Sequence, residues 1–325
     1  MKINIISETE LEKFCDFENF ILDKENVKKC GALESVIVEE EGAVLARASL
    51  WNAENRIQNK KTGYIGHFAA KNKEAGLFLT RYIKEKAKEY GLEYLAGPLD
   101  GNTWKQYRFM VEDNKNPFFL EPYNPLEWPE IFAESGYEVI GEYYSVKVTE
   151  PEKKFRVSER IKKVRFYSDL TIKKADKENF GKYINEIYDI SVKSFRNNFL
   201  YSEINRTDFL SLYLKIKDII DFDFIFMVYK NNKPIGFAFG IPDYNERLYK
   251  NKIETVILKT LAVNPEYHNF GLGAVLLEEF HKTAIDKGYK NIIHALIHQS
   301  NMSGKISEKY GEIMRKYHLY GMVTA

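Results

Sequence analysis

Leu261-Ala-Val-Asn-Pro-Glu-Tyr-His-Asn-Phe-Gly-Leu-Gly-Ala-Val-Leu-Leu277 reads as a strand end, a stop at Asn264-Pro265, a loop with two glycines, and the first turns of a helix. Working outward, Thr255–Val263 is apolar and β-branched, the composition of a buried strand. Before it, Phe222–Tyr229 and Ile235–Ile241 flank the turn Asn231-Asn232-Lys233-Pro234 and read as a hairpin. After it, apolar residues at 275, 276, 277, 280, 284 and 285 keep a helical stripe up to Lys287, and Gly288 closes that helix. Asn291–Ile297 reads as a further strand and Ser303–Lys316 as a second helix.

A loop entering a helix leaves backbone N–H groups free at the positive end of the helix dipole, which suits phosphate. Gly271 and Gly273 let the backbone approach closely, although a plain strand-to-helix turn uses glycine equally well. The Lys-Ser/Thr of a P-loop and the three glycines of the dinucleotide fingerprint are both absent here.

The first half repeats part of this plan. Tyr64–Ala70 reads as a strand, Gly76–Tyr90 as a helix and Leu92–Gly97 as a strand. Gly76 to Gly91 and Gly273 to Gly288 both span fifteen residues, which favours an internal duplication. In the first copy the loop Lys71-Asn-Lys-Glu-Ala75 is shorter, and Glu74 stands where Gly271 stands in the second. A carboxylate there opposes a bound diphosphate. Between the copies, residues 150–165 carry seven basic side chains and few apolar ones, the pattern of a solvated linker. The expected division is 1–150, a linker over 151–165, and 166–325.

The 325 residues suffice for two cores, and 48 Lys plus Arg against 47 Asp plus Glu give a formal net charge of +1. That balance argues against a nucleic-acid or anionic-membrane coat. Cys15 and Cys30 are too few for a disulfide framework or a four-thiolate metal site, and read as reduced thiols. Met1–Glu8 shows no long apolar region and no cleavage site, and no apolar run reaches membrane-spanning length. The expectation is a soluble cytoplasmic protein without nucleic-acid or membrane partners.

His268-Asn-Phe-Gly-Leu-Gly273, preceded by Leu261-Ala-Val-Asn-Pro265, resembles the Gln/Arg-x-x-Gly-x-Gly/Ala loop of the GCN5-related N-acetyltransferase (GNAT) superfamily. The resemblance covers most of 166–325, with His268 where Gln or Arg is usual. It implies a mixed α/β fold: two GNAT-like domains, each a mostly antiparallel mixed sheet flanked by helices, the first a degenerate copy without CoA binding. It also implies an acyl-CoA donor, most simply acetyl-CoA, with no metal. Leu261, Ala262 and Val263 then pair with the pantetheine arm. His268, Asn269, Phe270, Gly271, Leu272, Gly273 and Ala274 surround the pyrophosphate, and Asn301 contacts the pantetheine chain. The implied reaction is direct attack of an amine, on a small molecule or a peptide, on the thioester.

The acid and base are less defined. The family's Tyr, about seven residues past the Asn, is replaced by Glu308, and Tyr310 is the nearest tyrosine. Ser303 and Ser307 are the other hydroxyls in reach. The strand position where the family carries Glu is Ile257, and Glu254, three residues earlier, falls on the opposite face. His294 and His298 share strand parity, and His298 is the stronger base candidate near neutral pH. In the first half, Gly97–Phe109 and the proline-dense Pro117–Pro129 read either as an acceptor wall or as a packed interdomain strap. Three functions follow: an acyl-CoA-dependent N-acetyltransferase, a non-catalytic CoA-binding or regulatory protein, and an enzyme drawing on an acyl carrier protein or aminoacyl donor.

Overall fold

The computed structural model describes residues 1–8, 10–113, 115–154 and 169–325. The first half runs through β1 (Lys2–Ile5), short helices α1 (Leu11–Cys15) and α2 (Lys24–Lys28), β2 (Glu34–Glu40), β3 (Ala43–Ile57) and β4 (Lys60–Ala70). It continues with α3 (Lys73–Glu89), β5 (Tyr94–Gly97), β6 (Phe109–Met110), α4 (Glu127–Glu134) and β7 (Glu138–Thr149). Past α5 (Pro151–Lys154) come β8 (Leu170–Lys174), α6 (Phe180–Ser194), α7 (Arg206–Leu214), β9 (Ile225–Lys230) and β10 (Lys233–Pro242). The chain ends with β11 (Thr255–Val263), α8 (Leu272–Asp286), β12 (Asn291–His298), α9 (Met302–Ser307) and β13 (Glu312–Val323). Most of the expected linker, residues 155–165, lies outside the described residues.

All the strands join one sheet in the order β1-β2-β3-β4-β5-β13-β7-β12-β11-β10-β9-β8, with β6 beside β13. The order is nearly palindromic in type. In each half an antiparallel run leads to a strand, a helix and a parallel neighbour: β4-α3-β5 and β11-α8-β12. The final strands are exchanged. β13 pairs antiparallel with β5 of the first half, and β7 pairs antiparallel with β12 of the second. β13 and β7 then pair with each other from Glu312↔Lys147 to Gly321↔Glu138. The boundary near Pro151 thus divides the chain in sequence, while the sheet crosses it three times.

The matched glycines occupy matched places. Gly91 (φ 67°) and Gly288 (φ 76°) both follow the last helical turn in the left-handed conformation that terminates a helix. The core lies in layers on the two faces of the sheet. α8 buries Leu272, Val275, Leu276 and Phe280 on one side of the second half, and α6 buries Ile184, Ile187 and Ile190 on the other. The hairpin forms as expected, with its first strand starting at Ile225 after a 3-10 turn over Phe222–Phe224.

One element differs from expectation. The helix read over Ser303–Lys316 stops at Ser307, and Glu312 onward is strand. Gly311 turns the chain where a Cβ would lie 2.4 Å from the Lys147 carbonyl oxygen. Beyond it, Arg315, Tyr317 and Leu319 point inward together at strand spacing. Pairing with both β5 and β7 outweighs the local helical pattern.

The exchange makes each half dependent on the other. Fragments 1–154 and 155–325 expressed separately are expected to be unfolded or aggregated, each with an open central edge, and to form a soluble 1:1 complex when co-expressed. Two fragments that each fold as monomers would contradict the topology.

Candidate active site

β11 and β12 run parallel only from Thr255↔Asn291 to Leu258↔His294, and then part. At the point of parting β11 bulges: Phe239 of β10 opposes Thr260 and Gly240 opposes Leu258, so Lys259 is the extra residue. Beyond the bulge the β12-facing edge of β11 has no strand partner over Thr260–Ala262 among the described residues, while the Val263 carbonyl at its end is already taken. The cleft leads to the α8 N-terminus, where the N-cap is Gly271 (φ 73°), a residue with no side chain to cap the helix. A Cβ on Gly273 would meet only Leu261, at 3.5 Å. An uncapped helix N-terminus, a left-handed glycine and an unpaired strand edge together fit a diphosphate joined to an extended arm. His268 turns away from this role, donating from Nε2 to the Val263 carbonyl at 2.9 Å, beside the Ser194 hydroxyl at 3.1 Å. Any phosphate grip is left to backbone amides. Asn301, at the α9 N-cap, makes no side-chain cap bond.

The first half builds the same geometry and closes it. β4 and β5 pair only over Thr62↔Tyr94 to Tyr64↔Ala96, and β4 bulges just beyond, at His67 and Phe68 opposite Ala48. Here the chain after β5 folds back into the opening. Leu99 donates its N–H to the Ile65 carbonyl at 2.8 Å, and Asp100 accepts the His67 N–H at 2.6 Å. A Cβ on Gly66 would lie 2.4 Å from the Leu99 oxygen, so no space remains. The helix entrance is shut too. Asn72 caps the Ala75 N–H at 2.9 Å, Ile131 of α4 packs on Gly76, and Trp128 donates to the Ala70 carbonyl at 2.9 Å.

The sequence-derived acid and base candidates fall in three places. Glu254 precedes the far end of β11, held by Lys290 at 2.5 Å and Lys250 at 3.5 Å, with its carboxyl below the usual range through those ion pairs. Tyr310 packs on His281 of α8, with ring centroids 5.1 Å apart, within the core cluster that α8 shares with β11 and β12. His294 is buried and shares a 2.8 Å Nε2–Nε2 hydrogen bond with His281. Burial holds it well below the ordinary imidazole range.

His294 and His298 do not share a face. β12 bulges between them: His294 opposes Val146 while Ile297 opposes Tyr144, which advances β12 by three residues against two. His298 therefore emerges on the opposite face, against Tyr143 with ring centroids 4.8 Å apart. Its Nδ1 accepts the Ser300 N–H at 3.2 Å and lies 2.7 Å from the Ser300 hydroxyl. Burial first, then the charge of Arg108, lowers its pKa.

Around His298 stand groups that sequence reading did not single out as site residues. Arg108 comes from the first-half loop, Tyr143 from β7 and Lys259 from the β11 bulge. Lys259 donates to the Leu120 carbonyl at 3.3 Å, and burial followed by the Arg108 charge lowers its pKa to about 8. The proline-dense segment is a strap between the halves: besides Leu120, Phe119 donates to Asp243 at 2.9 Å and Asn245 to the Pro117 carbonyl at 2.9 Å. Trp104 is a strap residue, donating to the Ser202 carbonyl at 2.9 Å and packing on Phe209. Glu308, at the position where the resembled family has Tyr, accepts the Tyr144 hydroxyl of β7 at 2.6 Å. A phenol from the exchanged strand thus reaches α9.

Among the described residues no group of three or more His, Cys, Asp or Glu is arranged to hold a metal ion, and no helix is long and apolar enough to cross a membrane.

Residues 184–304 match the sequence model of the Acetyltransferase (GNAT) family. No curated protein matches the chain. Solved structures do. A GCN5-related N-acetyltransferase from Sphaerobacter thermophilus superposes with TM-score 0.54 at 10% identity, over 99% of this chain and 95% of that one. A tandem GNAT protein from the clavulanic acid biosynthesis pathway gives 0.55 at 8%, over 100% and 98%. The GCN5-related glucosamine N-acetyltransferase region of a fungal multi-domain β-N-acetylglucosaminidase gives 0.56 at 12%, over 99% of this chain and 38% of that one. At these identities the likeness establishes the fold.

Asp100→Ala tests the closure of the first cleft. Leaving the His67 amide unpaired is expected to cost about 1–3 kcal/mol in urea denaturation and to leave CoA affinity unchanged. A stability-neutral change would contradict the closure.

Proposed function

With residues 184–304 forming a domain of the acetyltransferase (GNAT) family, we propose that this chain transfers an acetyl or other acyl group from acyl-CoA to an amine, using the cleft between β11 and β12. The observation that carries the reading is the contrast between two like clefts, one open at an uncapped glycine-rich helix start and one filled by its own chain. We take the first half to be a degenerate copy of the same fold. Bound acyl-CoA supplies a thioester carbonyl open to attack by an amine nitrogen.

This chain's residues act around that carbonyl. The backbone amides of the Gly271-Leu272-Gly273 turn and the α8 dipole hold the diphosphate, while β11 over Leu261, Ala262 and Val263 and the side chain of Asn301 orient the arm. The bulge at Lys259 turns backbone toward the opening, where an N–H can steady an oxyanion. The amine must shed a proton before it attacks. Ser300 and His298 form the relay for it, ending on Nδ1. Tyr144 returns a proton to the leaving thiolate. Burial and the Glu308 hydrogen bond push its phenol up to about 12, so it stays protonated at neutral pH.

Thiol release from acetyl-CoA with a panel of amines tests the reading. Tyr144→Phe is expected to lower kcat on the order of 100-fold with little change in KM for acetyl-CoA. CoA binding without turnover on any amine would instead support the regulatory reading.

The base makes its own pH signature. Because the His298 pKa lies below 6.5 and the ring must be neutral to accept, activity should fall as pH drops through that lowered value. His298→Gln should lower kcat and flatten this acid limb. An unchanged limb in the variant would remove His298 from the relay.

A further inference from the structure

Arg108 is a buried cation with part of its hydrogen-bonding edge left over. Its residue exposure is 8%, and its backbone is held at φ 67° by a hydrogen bond from its N–H to the Pro98 carbonyl at 2.9 Å. The guanidinium carbon lies 4.1 Å from the Tyr107 ring centroid and 4.3 Å from that of Tyr143, in the corner made by two rings 82° apart. Nη1 donates to the Tyr107 hydroxyl at 2.9 Å, whereas Nε is buried without a partner. Among the described residues Arg108 makes no ion pair. Glu121, the carboxylate that acts on the neighbouring Lys259, is spent on Arg315 at 2.5 Å, on the Phe118 N–H at 2.8 Å and on Tyr317. Lys259 and His298, both within electrostatic reach, add no negative charge.

A desolvated guanidinium keeps its charge and needs acceptors for its N–H groups; Arg47 finds them in four backbone carbonyls, whereas Arg108 has neither carbonyl nor carboxylate on its outer edge and is suited to an incoming anion. We infer that the acceptor is an amine that also bears a carboxylate, and that this carboxylate binds the free edge of Arg108 beside Lys259, at the mouth where β11 and β12 part. The inference rests on the acyl-transfer reading and names its acceptor class. A planar carboxylate matches the in-plane N–H groups of a guanidinium edge, and the tyrosine corner leaves that edge as the place to bind. The same two cations disfavour the protonated form of an amine held nearby, which helps it reach the neutral, nucleophilic state. Arg108 also explains why the degenerate half remains: it supplies a binding residue that the open half lacks.

The test uses the full chain saturated with CoA and titrated calorimetrically with the common L-amino acids, their carboxamides and phosphoethanolamine. At least one amino acid should bind, its amide should bind on the order of 10- to 100-fold more weakly, and phosphoethanolamine should not be preferred. Arg108→Met should lose the acid-over-amide preference with CoA affinity unchanged. Arg108→Lys, which keeps the charge without the planar edge, should retain part of it. Equal binding of acid and amide, preference for the phosphate, no amino-acid binding at all, or a preference unchanged in Arg108→Met would overturn this inference while leaving CoA binding intact. Failure of the unmodified chain to bind CoA would overturn the acyl-transfer reading and this inference together.

Discussion

The antiparallel pairing of β7 with β13 is the contact on which the molecule depends. An open sheet edge must be covered, and here each half covers the other's with its own last strand. Neither half can be finished alone, since the strand that would finish it is already used. The ladder therefore fixes the two clefts in one rigid frame. It also carries residues across: Tyr143 and Tyr144 arrive at the second-half cleft from β7, and Arg315 and Tyr317 arrive from β13 to anchor the first-half loop through Glu121.

Within that frame the two halves show how little separates an open cleft from a closed one. Both have a parallel pair that parts after a few residues, a bulge at the point of parting, and a helix beginning beyond it. In the second half no strand or loop of the described residues pairs with β11 between Thr260 and Ala262 on its β12-facing edge. In the first, a carboxylate on the bulge amide, a leucine amide on the strand edge and a helix over the helix start take every place a ligand would need. The closure is made of ordinary hydrogen bonds and packing. What survives is a scaffold that projects Arg108, Phe119 and Leu120 toward the working half.

Much of this was legible in the sequence because it is local. The strand, glycine loop and helix of 255–286 follow from adjacent residues, as do the hairpin and the two helices ended by Gly91 and Gly288. The parts that were hidden depend on partners far along the chain. Glu312–Val323 becomes strand only because β5 and β7 lie on either side of it. His298 leaves the face of His294 because β12 bulges against β7, and no spacing within β12 records that. Arg108 and Tyr144 reach the cleft from the other half, so scanning the second half for an acid or an anion site could not find them. Asp100 was visible only as one polar residue in a polar segment.

One chain holds two clefts of one design, and a single one is expected to accept CoA. Calorimetric stoichiometry measures this directly. One CoA per chain is expected, lost in Gly273→Glu, where space exists for the side chain but its charge opposes a diphosphate. Two CoA molecules per chain, none, or one that persists undiminished in Gly273→Glu would contradict it.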